Sequence, residues 1–162
     1  MADPCPSDCK EIIIAEDQPI NVQCIKYQLE ELGILNTCDF CFNGEETVRL
    51  VQARVEAALA QIALDPSSDR VKRITPIKLM LLDFQMPRMN GIQVVEHVRK
   101  YISDRNTGLE HAWVCEPRFV FLTAFKTKQF KQHVKKLGIT EVHDKPLQIE
   151  LLREFVFGNN DD

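Results

Sequence analysis

Leu81-Leu82-Asp83-Phe84-Gln85-Met86-Pro87-Arg88-Met89-Asn90-Gly91 reads as a buried strand that stops on one carboxylate, then a Met-Pro turn and an Asn-Gly turn. An apolar strand that delivers an aspartate to its carboxyl end is how open α/β sheets build a reactive site. Two further acids, Glu16 and Asp17, follow an earlier apolar run, Glu11-Ile12-Ile13-Ile14-Ala15, and Asp144-Lys145-Pro146 comes downstream. Together they make a constellation rather than a lone acid.

Working outward, apolar runs and helical periodicities alternate. The run at 11–15 has the continuous apolar character of a strand buried on both faces of a parallel sheet. Pro19 opens a helix with Val22, Ile25, Leu29 and Leu32 on one side, and Gly33 ends it. A second strand is expected over Thr37–Phe42, then a helix after Asn43-Gly44 carrying Val48, Val51, Val55, Leu59 and Ile62. The polar break at 65–70 reads as a loop, Ile77–Leu82 as the third strand and Gly91–Tyr101 as a helix. Ser103–Pro117 reads as a second long connection, with Trp113 packing in it. Arg118–Leu122 is the fourth strand, Lys126–Leu137 a helix, Glu141–His143 a short fifth strand and Gln148–Phe157 the last helix. Residues 1–9 are expected to be a flexible leader, 10–157 one domain, and 158–162 a polar tail.

Five such βα units predict an α/β fold, a doubly wound parallel sheet with helices on both faces. Glu16, Asp17, Asp83, Thr123 and Lys145 then all fall at carboxyl ends of strands, the edge where such sheets place their sites. A chain of 162 residues suffices for one core and is short for two. Its net charge of −4 argues against general nucleic-acid binding. No apolar run approaches the roughly 20 residues needed to span a bilayer, and the first residues lack the pattern of a secretory signal. The expectation is a cytoplasmic domain, free-standing or the cytoplasmic part of a membrane-attached protein.

The six cysteines suggest neither a metal site nor a disulfide framework. Cys38 and Cys41 have C-x-x-C spacing, but on a strand positions i and i+3 face opposite sides and cannot easily share an ion. Lysines dominate 126–136; Phe130, Val134 and Leu137 supply the inward stripe, so the lysines form a solvated face or, alternatively, a docking one.

Glu16, Asp17 and Asp83 would gather three negative charges in a small volume, which is costly unless a cation compensates. Oxygen-only ligands suit a hard divalent ion, Mg2+ with Mn2+ as alternative, and Mg2+ often completes its shell with a phosphoryl oxygen. Lys145 adds a compact positive charge and Thr123 a small hydroxyl, both suited to phosphoryl oxygens. Asp83 is the candidate nucleophile, and an aspartyl phosphate the product.

In this order the acid pair, the Leu-Leu-Asp83-x-x-Met86-Pro87-x-Met89-x-Gly91 segment, Leu122-Thr123-Ala124 and Lys145-Pro146 resemble the receiver domain of response regulators in two-component phosphorelays. The resemblance covers roughly Lys10 to Phe157, with some likeness to receivers of eukaryotic hybrid histidine kinases. It implies a flavodoxin-like fold with strand order 2-1-3-4-5. It also implies that Asp83 accepts a phosphoryl group from a histidine kinase or histidine phosphotransfer protein. Glu16, Asp17, Asp83 and the Gln85 backbone carbonyl would hold Mg2+, while Thr123 and Lys145 contact the phosphoryl group. No direct nucleic-acid or membrane contact is implied. One departure stands out: receivers usually carry Tyr or Phe three residues before the lysine, where this chain has Val142. The competing expectation is a Mg2+-dependent phosphatase with an aspartyl-phosphate intermediate. Such an enzyme generally needs a second acid two residues after the nucleophile, where Gln85 stands.

Overall fold

A computed structural model describes residues 10–64, 72–110 and 112–158. The expected leader, the polar tail from 159 onward and the break at 65–70 lie outside the described residues. In chain order the elements are β1 (Ile12–Ala15), α1 (Pro19–Glu31), a 3-10 turn (Leu35–Thr37), β2 (Cys38–Cys41) and α2 (Gly44–Ala63). Next come β3 (Lys72–Ile74), β4 (Leu79–Asp83), α3 (Gly91–Thr107), β5 (Ala112–Val114) and β6 (Arg118–Thr123). The last three are α4 (Lys128–Lys136), β7 (Val142–Asp144) and α5 (Ile149–Phe157).

The main sheet is parallel, in the order β2-β1-β4-β6-β7. Counting its own strands along the chain, that is the expected 2-1-3-4-5. Alternation across the pleat splits the core in two. Ile13, Ala15, Met80, Leu82, Phe119 and Phe121 pack with α2, α3 and α4 through Val51, Val95 and Phe130. Ile12, Ile14, Leu79, Leu81, Val120 and Leu122 pack with α1 and α5 through Ile25, Leu29, Leu152 and Phe155. Cys38 belongs to the second cluster and Cys41 to the first, so the C-x-x-C pair does straddle the sheet. Burial pushes their thiols up to about 11 and about 12, which keeps them protonated and unreactive.

The two connections expected to be loops hold more order than the sequence reading gave them. Helix α3 continues to Thr107, and β5 pairs in parallel with β3 as a separate two-stranded ribbon. Asn106, buried on α3, fastens it: its amide donates to the Val114 carbonyl (3.0 Å) and its oxygen accepts from the Val114 N–H (2.8 Å). Trp113 is therefore a strand residue, and half of it is exposed. Helix α4 begins at Lys128, with the Thr127 hydroxyl accepting from Phe130 N–H, so Lys126 lies just outside it.

Both Asn-Gly pairs are helix starts rather than free turns. Asn43 caps α2 through Glu46 N–H, and Asn90 forms a capping box with Gln93. Each glycine is there because backbone comes too close for a side chain. A Cβ on Gly44 would sit 2.3 Å from the Met89 carbonyl oxygen, and one on Gly91 2.6 Å from that of Asp83. The segment after Asp83 is thereby clamped between the start of α2 and its own strand.

Candidate functional site

β4 is flanked by β1 and β6 and is buried along its length, so its last residue, Asp83, reaches the carboxyl edge at the centre of the sheet. Glu16 and Asp17 follow β1 directly, Thr123 ends β6 and Lys145 follows β7. Backbone bonds hold these ends together: Glu16 N–H donates to the Cys41 carbonyl (3.0 Å) and Lys145 N–H to that of Thr123 (3.1 Å). The Lys145–Pro146 peptide is cis.

Glu16 is the most enclosed of the group, with 1% of its surface exposed; Asp83 has 5%. Oε1 of Glu16 accepts from Gln18 N–H (3.1 Å) and the Asn21 amide (3.2 Å), while Oε2 lies 2.5 Å from the Lys145 ammonium. Oδ1 of Asp83 accepts from Gln85 N–H (3.1 Å), and its Oδ2 lies 2.8 Å from the same ammonium. Asp17 is only partly buried; its Oδ2 accepts from the Gln18 amide (3.2 Å). Its Oδ1 is buried with no hydrogen-bond partner among the described residues.

One ammonium thus serves a pocket of three carboxylates. Burial pushes the Asp83 carboxyl above its usual range and the Glu16 charge adds to this, while Lys145 and the Gln85 N–H offset only part. Burial on its own would lower Lys145, but the hydrogen bonds and charges of Asp83 and Glu16 outweigh it and hold the ammonium above its ordinary value. The pocket is short of positive charge. One oxygen from each of Glu16, Asp17 and Asp83 lies within 4.8 Å of the others, and this all-oxygen set with an orphaned Asp17 Oδ1 fits a hard divalent cation.

Thr123 is in place and buried (2% exposed), but its hydroxyl is turned elsewhere. It donates to the Phe125 carbonyl (2.9 Å) and accepts from Phe125 N–H (3.1 Å), leaving the Phe125 ring 64% exposed. Gln18, Asn21 and Phe125 were not anticipated. Each acts through an amide or a backbone group, and only position after a strand end could have flagged them.

The family model for the response regulator receiver domain matches residues 12–157. The chain belongs to the response regulator receiver family. The receiver is accordingly a signalling phosphoacceptor domain rather than an enzyme acting on a separate substrate, which implies a phosphodonor partner. It is 26% identical over 154 residues to hybrid signal transduction histidine kinase K of Dictyostelium discoideum, covering 93% of this chain and 10% of that protein. It is 27% identical over 143 residues to the peroxide stress-activated histidine kinase mak3 of Schizosaccharomyces pombe, covering 88% and 5%. The chain thus spans a tenth or less of the length of these relatives. Among solved structures, the receiver domain of the Arabidopsis thaliana histidine kinase CKI1 complexed with Mg2+ and BeF3- superposes with a TM-score of 0.63. It is 18% identical and covers 90% of this chain and 89% of that one. A Francisella response regulator receiver domain superposes at 0.54 with 22% identity, covering 87% and 88%. These likenesses carry the fold. Among the described residues, no helix is long and apolar enough to cross a membrane.

Proposed function

We propose that residues 10–157 act as one phosphoacceptor unit in which Asp83 takes a phosphoryl group from a phosphohistidine, on a histidine kinase or a histidine phosphotransfer protein. The carboxylate cluster at the end of β1 and β4, served by one lysine, carries this reading. An Asp83 oxygen attacks phosphorus in line; the new O–P bond forms as the P–N bond breaks, and the imidazole leaves with the electron pair. Lys145 is already 2.8 Å from the attacking carboxylate and can follow the charge onto the phosphoryl oxygens. Thr123 would exchange its bonds to Phe125 for one to a phosphoryl oxygen. Glu16, Asp17, Asp83 and the Gln85 backbone carbonyl would hold Mg2+, which neutralises charge on the acceptor and the transferred group when bound. The CKI1 receiver complexed with Mg2+ and BeF3- supports that assignment by its shared fold. The release of Phe125 would bias the face formed by α4, β7 and α5 toward a partner. A cytoplasmic setting follows from such donors.

The phosphatase reading fares worse, because the Gln85 side chain carries no acid for a second proton-transfer step. Incubation with acetyl phosphate and Mg2+, followed by mass spectrometry, tests the proposal. A phosphoryl group on Asp83, absent from Asp83→Asn, is expected. Lack of uptake with Mg2+ demonstrably bound would overturn it, and rapid turnover of unrelated phosphate esters would favour the phosphatase.

A further inference from the structure

Of the three pocket carboxylates, Glu16 stands on the longest stem, one methylene more than Asp17 or Asp83. A longer stem has more rotamers to lose, so a glutamate needs firmer holding than an aspartate to present one oxygen in one place. Ordinary capping at the start of α1 does not provide it. Gln18, the N-cap residue, makes no side-chain cap bond, and Pro19 at the first helical position has no N–H to donate.

The holding comes from Asn21, half-buried in the first turn of α1. Its side-chain amide donates to Glu16 Oε1 (3.2 Å), beside the Gln18 N–H (3.1 Å). Both donors take the same oxygen. Oε2 meets the Lys145 ammonium (2.5 Å), which also lies 2.8 Å from Asp83, so Oε2 is the oxygen turned toward Asp83. With Glu16 only 1% exposed, bulk water has no ready access to replace the amide.

We propose that Asn21 is a positioning residue for Mg2+: by fixing Oε1 it sets the plane of the Glu16 carboxylate and keeps Oε2 aimed into the pocket. Asn21 touches neither the ion nor the phosphoryl group and acts through Glu16. The proposal rests on the reading of Glu16, Asp17 and Asp83 as a Mg2+ site.

Titration of MgCl2 into the 15N-labelled full chain, without phosphodonor, tests it. Asn21→Leu keeps the size of the side chain and removes the amide. It is expected to raise the Mg2+ dissociation constant about tenfold, the lower end of what lost supports of metal ligands cost, because Gln18 N–H still holds Oε1. In a Glu16→Ala background the same substitution is expected to change the constant by less than about twofold, since the group it positions is gone. Urea unfolding separates positioning from a purely structural role. A structural role lowers the midpoint equally with and without Mg2+, whereas positioning lowers it more with Mg2+, because an ion bound more weakly stabilises the folded state less. With acetyl phosphate, the Mg2+ needed for half-maximal uptake is expected to rise about tenfold while the rate at saturating Mg2+ is kept. An Asn21→Leu constant equal to the parent's, or an equal tenfold loss in the Glu16→Ala background, would overturn the proposal. A parent chain that takes up no Mg2+ would instead remove the metal reading, and this one with it.

Discussion

The two halves of the site are built differently. On the β1–β4 side, Glu16 is held by Gln18, Asn21 and Lys145, and Asp83 by Gln85 and Lys145. Glycines at 44 and 91 let neighbouring backbone lock the segment that follows Asp83. On the β6–β7 side, Thr123 spends its hydroxyl on Phe125, whose ring stands in solvent. β7 is an edge strand in which Val142 and His143 are only partly buried and Asp144 is exposed, and a groove opens beside Val142. The difference teaches that accepting a group needs geometry fixed beforehand, whereas reporting it needs bonds that can be exchanged at small cost.

The largest effect is expected from Lys145→Met, which strikes the fixed half. Removing the ammonium that lies against both Glu16 and Asp83 leaves buried carboxylates uncompensated, a loss of about 3–5 kcal/mol by comparison with other broken buried pairs. Urea unfolding measures it. Added Mg2+ is expected to raise the midpoint of the variant more than that of the parent, since the ion would supply the missing charge. A variant as stable as the parent would show that the carboxylates do not lean on Lys145.

Thr123→Val tests the exchangeable half and should cost less, about 1 kcal/mol, because Phe125 N–H and C=O lie in an exposed turn where water can replace the hydroxyl. Phosphoryl uptake at Asp83 should survive, while the amide shifts that phosphorylation produces on α4 and β7 should shrink. Unchanged shifts in this variant would mean that the signal leaves the site by another route.

Which parts were legible in the sequence follows the same division. β1, β4 and β6 announce themselves as apolar runs, and the polar residues at their ends fall together because a parallel sheet puts all such ends on one edge. The β3–β5 ribbon was not legible. Lys-Arg-Ile and Ala-Trp-Val are too short to show a period, and Asn106, which closes both polar groups of Val114, looks from the sequence like one more polar loop residue. Asn21 holds Glu16 from the first turn of α1, a relation that depends on the bend after β1 rather than on residue type. The Thr123–Phe125 turn was hidden for a similar reason, since its partners are backbone groups that any residue offers.

The smallest expected effect lies at the far end of the exchangeable half, where Glu141 ties β7 to β6. Its carboxylate pairs with the Arg118 guanidinium, and its carbonyl accepts from Phe121 N–H (2.9 Å). The hydrogen bond from Arg118, helped by its charge, holds the Glu141 carboxyl below its ordinary value of 4.5 although burial opposes this. A carboxyl depressed in the folded state binds fewer protons there than in the unfolded chain. The pair's contribution is therefore complete at pH values above 4.5 and disappears as pH falls through the lower folded value. Because Arg118 is 42% exposed, solvent screening keeps that contribution within about 1 kcal/mol. Glu141→Gln should accordingly unfold at slightly lower urea than the parent at pH 7, and the gap should narrow as pH falls below 4.5. A gap that persists at low pH would assign the loss to packing rather than to charge.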